Sequence, residues 1–141
     1  MRSALFALML LGACTQTTAD TPPTRQAATH YLSGTKWLRM DDMNANPHGA
    51  TLEFDGNRAS GYTGCNHWTA DVTEQGEVLR FGMVVSTEMA CSSPMQMDTE
   101  RNFLSVLDRT RYAHFDRESL VLMDARQNQI AQFNSNLPTP E

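Results

Sequence analysis

From Trp37 onward, hydrophobic and polar residues alternate with a period of two, the pattern of strands that bury one face. Leu52 and Phe54 alternate with Thr51 and Glu53. Trp68, Ala70 and Val72 alternate with Thr69 and Asp71, and Leu79 and Phe81 with Val78 and Arg80. Turn residues separate the runs at Asp55-Gly56-Asn57, Glu74-Gln75-Gly76, Asp116-Arg117-Glu118 and Ala125-Arg126-Gln127-Asn128. Residues 41–49 read as a polar loop. Short strands are predicted near 37–40, 51–54, 58–63, 68–72, 78–81, 83–86, 111–115, 120–123 and 129–133. One stretch changes period. Ser93 and Pro94 offer an N-cap and a first-turn proline, and Met97, Glu100, Phe103, Leu104 and Leu107 recur at helical spacing. A helix is predicted over 94–108, with Asp98 and Glu100 early and Arg109 late, complementing its dipole. The fold class expected is mainly β (α+β): about eight antiparallel strands curled into a barrel, with one packed helix.

The N-terminus breaks this pattern. Met1-Arg2-Ser3 precedes an apolar run over 4–11 and then Gly12-Ala13-Cys14. One positive charge, a short apolar stretch and small residues before a break mark a secretory signal over 1–13. The run is far short of the about 20 residues that span a bilayer. Leu11-Gly12-Ala13-Cys14 resembles the lipobox of bacterial lipoproteins. That resemblance implies cleavage before Cys14 and lipidation of its thiol and new amine with fatty acyl chains such as palmitate. Several chains, at about 0.8 kcal/mol per buried methylene, make a stable anchor. The plain alternative is an ordinary signal with a chance cysteine. Residues 14–29, rich in Thr, Ala and Pro with no large apolar side chain, are expected to form a disordered tether. Thr15, rather than Asp, follows Cys14, which in enterobacteria-like sorting places the protein in the outer membrane, facing the periplasm.

The stretch that remains, 30–136, suits one domain, with 137–141 a loose tail. The chain carries a net charge of −5, and losing Arg2 with the signal makes it more acidic. No basic patch suits nucleic acid, and a monomer is expected. Of three cysteines, Cys14 goes to lipid. Cys65 and Cys91 are then an even pair in an oxidising compartment, and a disulfide between them is expected. The alternative, a metal held by Cys65, His67 and Cys91, lacks zinc spacing.

Catalytic constellations are absent from the sequence. His30, His48, His67 and His114 form no helical metal pair. Ser60, Ser86 and Ser105 lack a nucleophile elbow. Glu53, Glu88 and Glu100 could meet as a carboxylate set, but solvated faces and local caps explain them equally well. No catalytic residue, metal site or cofactor is expected. Frequent methionines would suit copper(I) or, more simply, adaptable packing. Gly61-Tyr62-Thr63-Gly64-Cys65-Asn66 reads as a bulged strand leading into the disulfide, with a ligand loop as the alternative. Asn66 and Thr87 are expected to brace each other across that bridge.

Several of these residues form a family pattern: Gly34-Thr35-x-Trp37, a Glu-Phe-Asp-Gly run ending at Gly56, and Ser60-Gly61-Tyr62-Thr63-Gly64-Cys65-Asn66. Thr87-Glu88-Met89-Ala90-Cys91 and the helix with Glu100 and Phe103 follow. The chain resembles the META domain family, which includes the HslJ-like lipoproteins. The resemblance covers nearly all of the expected domain and implies a compact barrel-like fold. Gly61, Gly64, Asn66, Thr87 and Met89 become motif residues with a structural or binding role. The family implies no defined activity; some members are associated with envelope stress. One departure is Ala125-Arg126-Gln127, where relatives more often have a glycine-containing turn; it weakens the sequence signal for a hairpin there and touches nothing else. The functions compatible with this reading are an envelope lipoprotein that binds a partner protein or serves under stress, a barrel that carries a small apolar ligand or lipid, or a periplasmic hydrolase inhibitor.

Overall fold

The computed structural model describes residues 31–41, 49–116 and 118–135. The signal, Cys14, the tether, His30, most of the 41–49 loop with His48, and the tail all lie outside them. Nine strands and one helix are described: β1 Lys36–Arg39, β2 Thr51–Asp55, β3 Arg58–Tyr62, β4 His67–Gln75, β5 Val78–Phe81, β6 Val85–Ser86, α1 Pro94–Arg109, β7 Tyr112–Phe115, β8 Ser119–Met123 and β9 Gln129–Asn134. Eight of the strands run in the order β3-β2-β1-β9-β8-β7-β5-β4, and β3 pairs back with β4 to close an antiparallel barrel. This is the expected fold class. β6 stands outside the closure, attached only to β4 through Trp68↔Ser86 and Thr69↔Val85.

Alternation drives the closure. In β4 the inward positions are Trp68, Ala70, Val72 and Glu74, with His67, Asp71, Thr73 and Gln75 outward. Glu74 therefore belongs to the strand, not to the turn expected there. The hairpin loop is Gly76-Glu77, set by the pairing Gln75↔Val78 and by Gly76 at φ +60°. Inside, Trp68 packs against Phe103 at 5.5 Å and Phe81 at 6.1 Å between ring centroids, and Phe103 meets Phe133 at 6.4 Å. Trp37, Phe54, Trp68, Phe103 and Phe133 are buried with Leu52, Leu79, Leu120 and Leu122. Each such side chain contributes about 1.5–3 kcal/mol by leaving water. These side chains form one packed core inside the barrel.

The helix begins as expected: Ser93 Oγ accepts from the Gln96 N–H, with Pro94 in the first turn. Its inner face differs from the expected one. Thr99, Phe103, Val106 and Leu107 are buried, whereas Met97 is 45% exposed and Leu104 half-buried. The stripe is rotated because Phe103 must reach Trp68 and Phe133. The first turn also lacks an acidic residue; Asp98 comes later and pairs with Arg101. Arg109, in the last turn, lies 3.6 Å from Asp124. The β8–β9 turn still forms without glycine: Asp124 Oδ1 accepts from the N–H groups of Arg126 and Asn128, and Gln127 takes φ +62°.

Candidate functional site

The motif residues converge at one end of β4. Gly61, in β3, is forced by space: a Cβ there would lie 2.1 Å from the Thr51 carbonyl oxygen, inside any allowed contact. That closeness lets Tyr62 N–H bond Thr51 Oγ1 at 2.9 Å and the Trp68 indole N–H bond Thr51 O at 3.3 Å. Gly64, at φ +101°, lets the chain reverse between β3 and β4. The reversal is tied by Thr63, whose hydroxyl accepts from Cys65 N–H (3.2 Å) and Asn66 N–H (2.9 Å).

Asn66 is the centre. It is buried, so its amide must find partners within the protein. Its Oδ1 accepts from Thr87 Oγ1 at 2.9 Å and from Met89 N–H at 2.8 Å. Its Nδ2 donates to the Met89 carbonyl at 3.2 Å and to Glu100 Oε2 at 3.3 Å. One side chain therefore engages both backbone groups of Met89 and uses the full capacity of an amide. Glu100 Oε1 accepts from Thr63 Oγ1 at 2.9 Å, so the same carboxylate joins the helix to the turn. Thr87 also binds back on β4, its N–H to His67 O and its hydroxyl from His67 N–H.

The disulfide between Cys65 and Cys91 lies across this cluster, with Cα atoms 5.5 Å apart. Glu100 Oε2 is 3.7 Å from Cys91 Sγ. Cys65, Cys91 and Glu100 thus gather three donor types that could hold a metal. With the sulfurs joined, neither is a thiolate, and the carboxylate already accepts two hydrogen bonds. Thr63 and Glu100 belong to the family pattern but are not among the residues expected to carry a role; for Glu100 a further signal is its place as an acidic residue in the helix's apolar stripe.

The other candidates disperse. Glu53 pairs with Lys36 at 3.1 Å, Glu88 is exposed, and Glu100 is occupied as described. His67 stacks beside Tyr62 at 5.4 Å, and His114 faces Glu77 at 3.6 Å. Asp116 and Asp124 are the carboxyls held below the ordinary range. For Asp116 the cause is the N–H groups of Glu118 and Ser119, and for Asp124 chiefly that of Asn128. Both carboxylates close turns.

Outside the cluster, an open groove of about 590 Å³ is lined by Gly34, Thr35, Lys36, Trp37, Phe115, Asp116 and Ser135. It lies on the surface, apart from the barrel interior. The large apolar side chains most exposed among the described residues are Met83 (86%), Val85 (60%), Tyr31 (60%), Met89 (57%) and Met95 (55%). Four of these five fall between β5 and the first turn of α1, the segment that Asn66 pins.

Comparison with known proteins matches residues 30–136 to the model of the META domain. Three solved structures resemble the chain in fold. An NMR structure of a protein from Burkholderia xenovorans has a TM-score of 0.61 and 20% identity, covering 92% of this chain and all of that one. A second NMR structure has a TM-score of 0.58 and 14% identity, covering 74% and 91%. The crystal structure of a DUF4847 family protein from Bacteroides vulgatus has a TM-score of 0.57 and 13% identity, covering 77% and 97%. No curated protein matches the chain. At these identities the structures speak for the barrel alone.

Proposed function

The chain belongs to the META domain family, and from that premise we propose that it is a non-enzymatic envelope lipoprotein, anchored through Cys14 and facing the periplasm, that holds a partner protein against its outer surface. One observation carries the reading. The barrel interior is filled by Trp37, Phe54, Trp68 and Phe103, while Met83, Val85 and Met89 on the pinned segment and Met95 and Met97 at the start of α1 are exposed. Exposed apolar residues gathered along one stretch of chain are what a docking surface needs. Methionine, unbranched and polarisable, suits such surfaces because it adapts to the opposing side chains. The polar cluster offers no open position for a substrate: the amide and the carboxylate are committed to Met89, Thr87 and Thr63.

The sequence over 1–29 supports the anchor, and a tether of that composition gives the domain reach from the membrane. A role under envelope stress fits a protein that steadies another by contact. Two measurements test the reading together. Mass analysis of the mature chain should find an acylated Cys14 as the first residue; a free thiol there, or another start, sinks the anchor. Crosslinking in cells followed by purification of the anchored chain should return the same envelope protein repeatedly, and failure to return any removes the partner.

A further inference from the structure

Closing a barrel removes strand edges, since each strand is paired on both sides. Here eight strands close and β6 does not, so it ends the sheet order with a strand on one side only among the described residues. Pairing with β4 decides which backbone groups face out. Thr87 N–H bonds His67 O, and in an antiparallel pair the inward-bonding residues alternate with outward ones. Val85 and Thr87 therefore turn their backbone to β4, and Ser86 turns its N–H and C=O away. No described group bonds that far side of Ser86.

Proteins guard such an edge by keeping it short or with lysine, proline or an inward charge. β6 is itself two residues long, and Gly82-Met83-Val84-Val85-Ser86-Thr87 carries none of the side-chain guards. It is also held firm at both ends, by Gly82 N–H on Asp71 O at 2.8 Å and by the Asn66 clamp on Thr87 and Met89. Charge narrows the occupant. No Lys or Arg occurs between Arg80 and Arg101, and exposed Glu88 flanks one end of the edge, whereas Asp71 at the other end stands opposite Arg58 of β3.

We infer that the outer edge of β6 accepts an extended segment of a partner protein as an added antiparallel or parallel strand. The segment presents apolar residues on the face it shares with Val85, where they rest against Met83, Val85 and Met89, and carries basic residues that meet Glu88. Main-chain hydrogen bonds would supply affinity and the alternating side chains specificity, as in strand addition generally. The inference rests on the partner-binding reading above and names where and how the partner sits.

The test uses the full anchored chain in cells, with a photo-crosslinking amino acid at Met83 or, in a separate chain, at Arg126 in the β8–β9 turn. Expected is one dominant protein adduct from position 83, mapping to an extended partner segment that carries apolar residues at every second position and basic residues beside them. Ser86→Pro, which removes the outward N–H and fixes φ at that position, should lower that adduct at least tenfold, as should Val85→Lys, which adds a guarding charge to the edge. Melting temperature is measured on each variant, and Val85→Lys stands as the arm that bears on the edge if the proline unfolds the domain. Adducts that persist in both variants, or that form with a second copy of the chain or with lipid alone, overturn the edge. Adducts from position 126 alone overturn the edge and leave the partner-binding reading intact. Adducts from neither position, with nothing recovered by purification, overturn both.

Discussion

Two adjoining regions invert the usual arrangement of a small domain. Around Asn66, polar groups are paired: buried Thr63 and Asn66 and half-buried Glu100 exchange hydrogen bonds beside the disulfide. Immediately beside them, Met83, Val85 and Met89 are apolar and exposed. The first region holds the second in place, for Asn66 grips Met89 by both backbone groups and Thr87 by its hydroxyl. The difference separates two demands. Stability resides in a polar clamp, and the apolar surface it presents adds almost nothing to folding. A mutation in the first region should unfold or loosen the second, whereas the reverse should not hold.

The strongest way to break that relation is Asn66→Leu. Leucine matches asparagine in size but strands the Met89 N–H and C=O, the Thr87 hydroxyl and one oxygen of Glu100. A group left without a partner costs about 1–3 kcal/mol when buried, and the low end applies to each here because Thr87 and Met89 are exposed and Glu100 half-buried. A loss of about 4 kcal/mol is expected, read by urea unfolding, with faster amide exchange over 85–91. A variant within 1 kcal/mol of the parent (~1 kcal/mol is the noise of such comparisons) would show that the cluster is not the clamp.

Removing the covalent tie comes next. Cys65 and Cys91 are 26 residues apart, so opening the bridge frees a loop whose closure is worth about 3 kcal/mol in the chain-entropy model. The double substitution Cys65→Ser, Cys91→Ser should lower stability by about that amount and still leave a barrel, because its eight strands close without the bridge. Circular dichroism that shows strand signal lost outright would instead make the bridge a condition of folding. Glu100→Gln is milder. The amide keeps the shape, but one of its ends now presents N–H where Thr63 or Asn66 also presents a donor. About 1.5 kcal/mol should be lost, and no loss would mean that the carboxylate is a bystander.

Much of this was legible in the sequence, for identifiable reasons. Period-two alternation placed Leu52, Phe54, Trp68, Val72 and Leu79 inward, and Ser93-Pro94 placed the start of α1. Alternation is a local signal, however. It cannot tell that the residues over 83–86 make a strand outside the closure, because that depends on where β4 runs out of partners. It also misplaced Glu74, whose inward position accepts from Tyr31 N–H at 3.1 Å, since an acidic residue beside glycine reads as a turn. The helix face was misjudged by about one position, because exposed Met97 resembles a core residue in any hydrophobicity pattern. Within the cluster, Asn66, Thr87 and Met89 were visible as a motif. Glu100 was visible as an acidic residue in the helix stripe and in the family pattern, but not as a partner of Asn66. What the chain could not announce is that a buried amide needs four partners, and that a helix 34 residues away supplies one of them.

The smallest effect on stability is also the sharpest test of the comparison. Met83 and Met89 are 86% and 57% exposed, so replacing both side chains with serine removes little area from the core. Met89 enters the clamp through its backbone alone, which serine retains. Surface substitutions of this kind change stability by less than about 0.5 kcal/mol, and the double variant Met83→Ser, Met89→Ser should unfold at the same urea concentration as the parent. Partner recovery from crosslinked cells should nonetheless fall several-fold, since the apolar area against which the partner rests is gone. A variant that loses stability but keeps its partner would reverse the assignment: the methionines would then belong to the fold, and the surface that binds would have to be sought elsewhere, beginning with the groove beside Trp37 and Phe115.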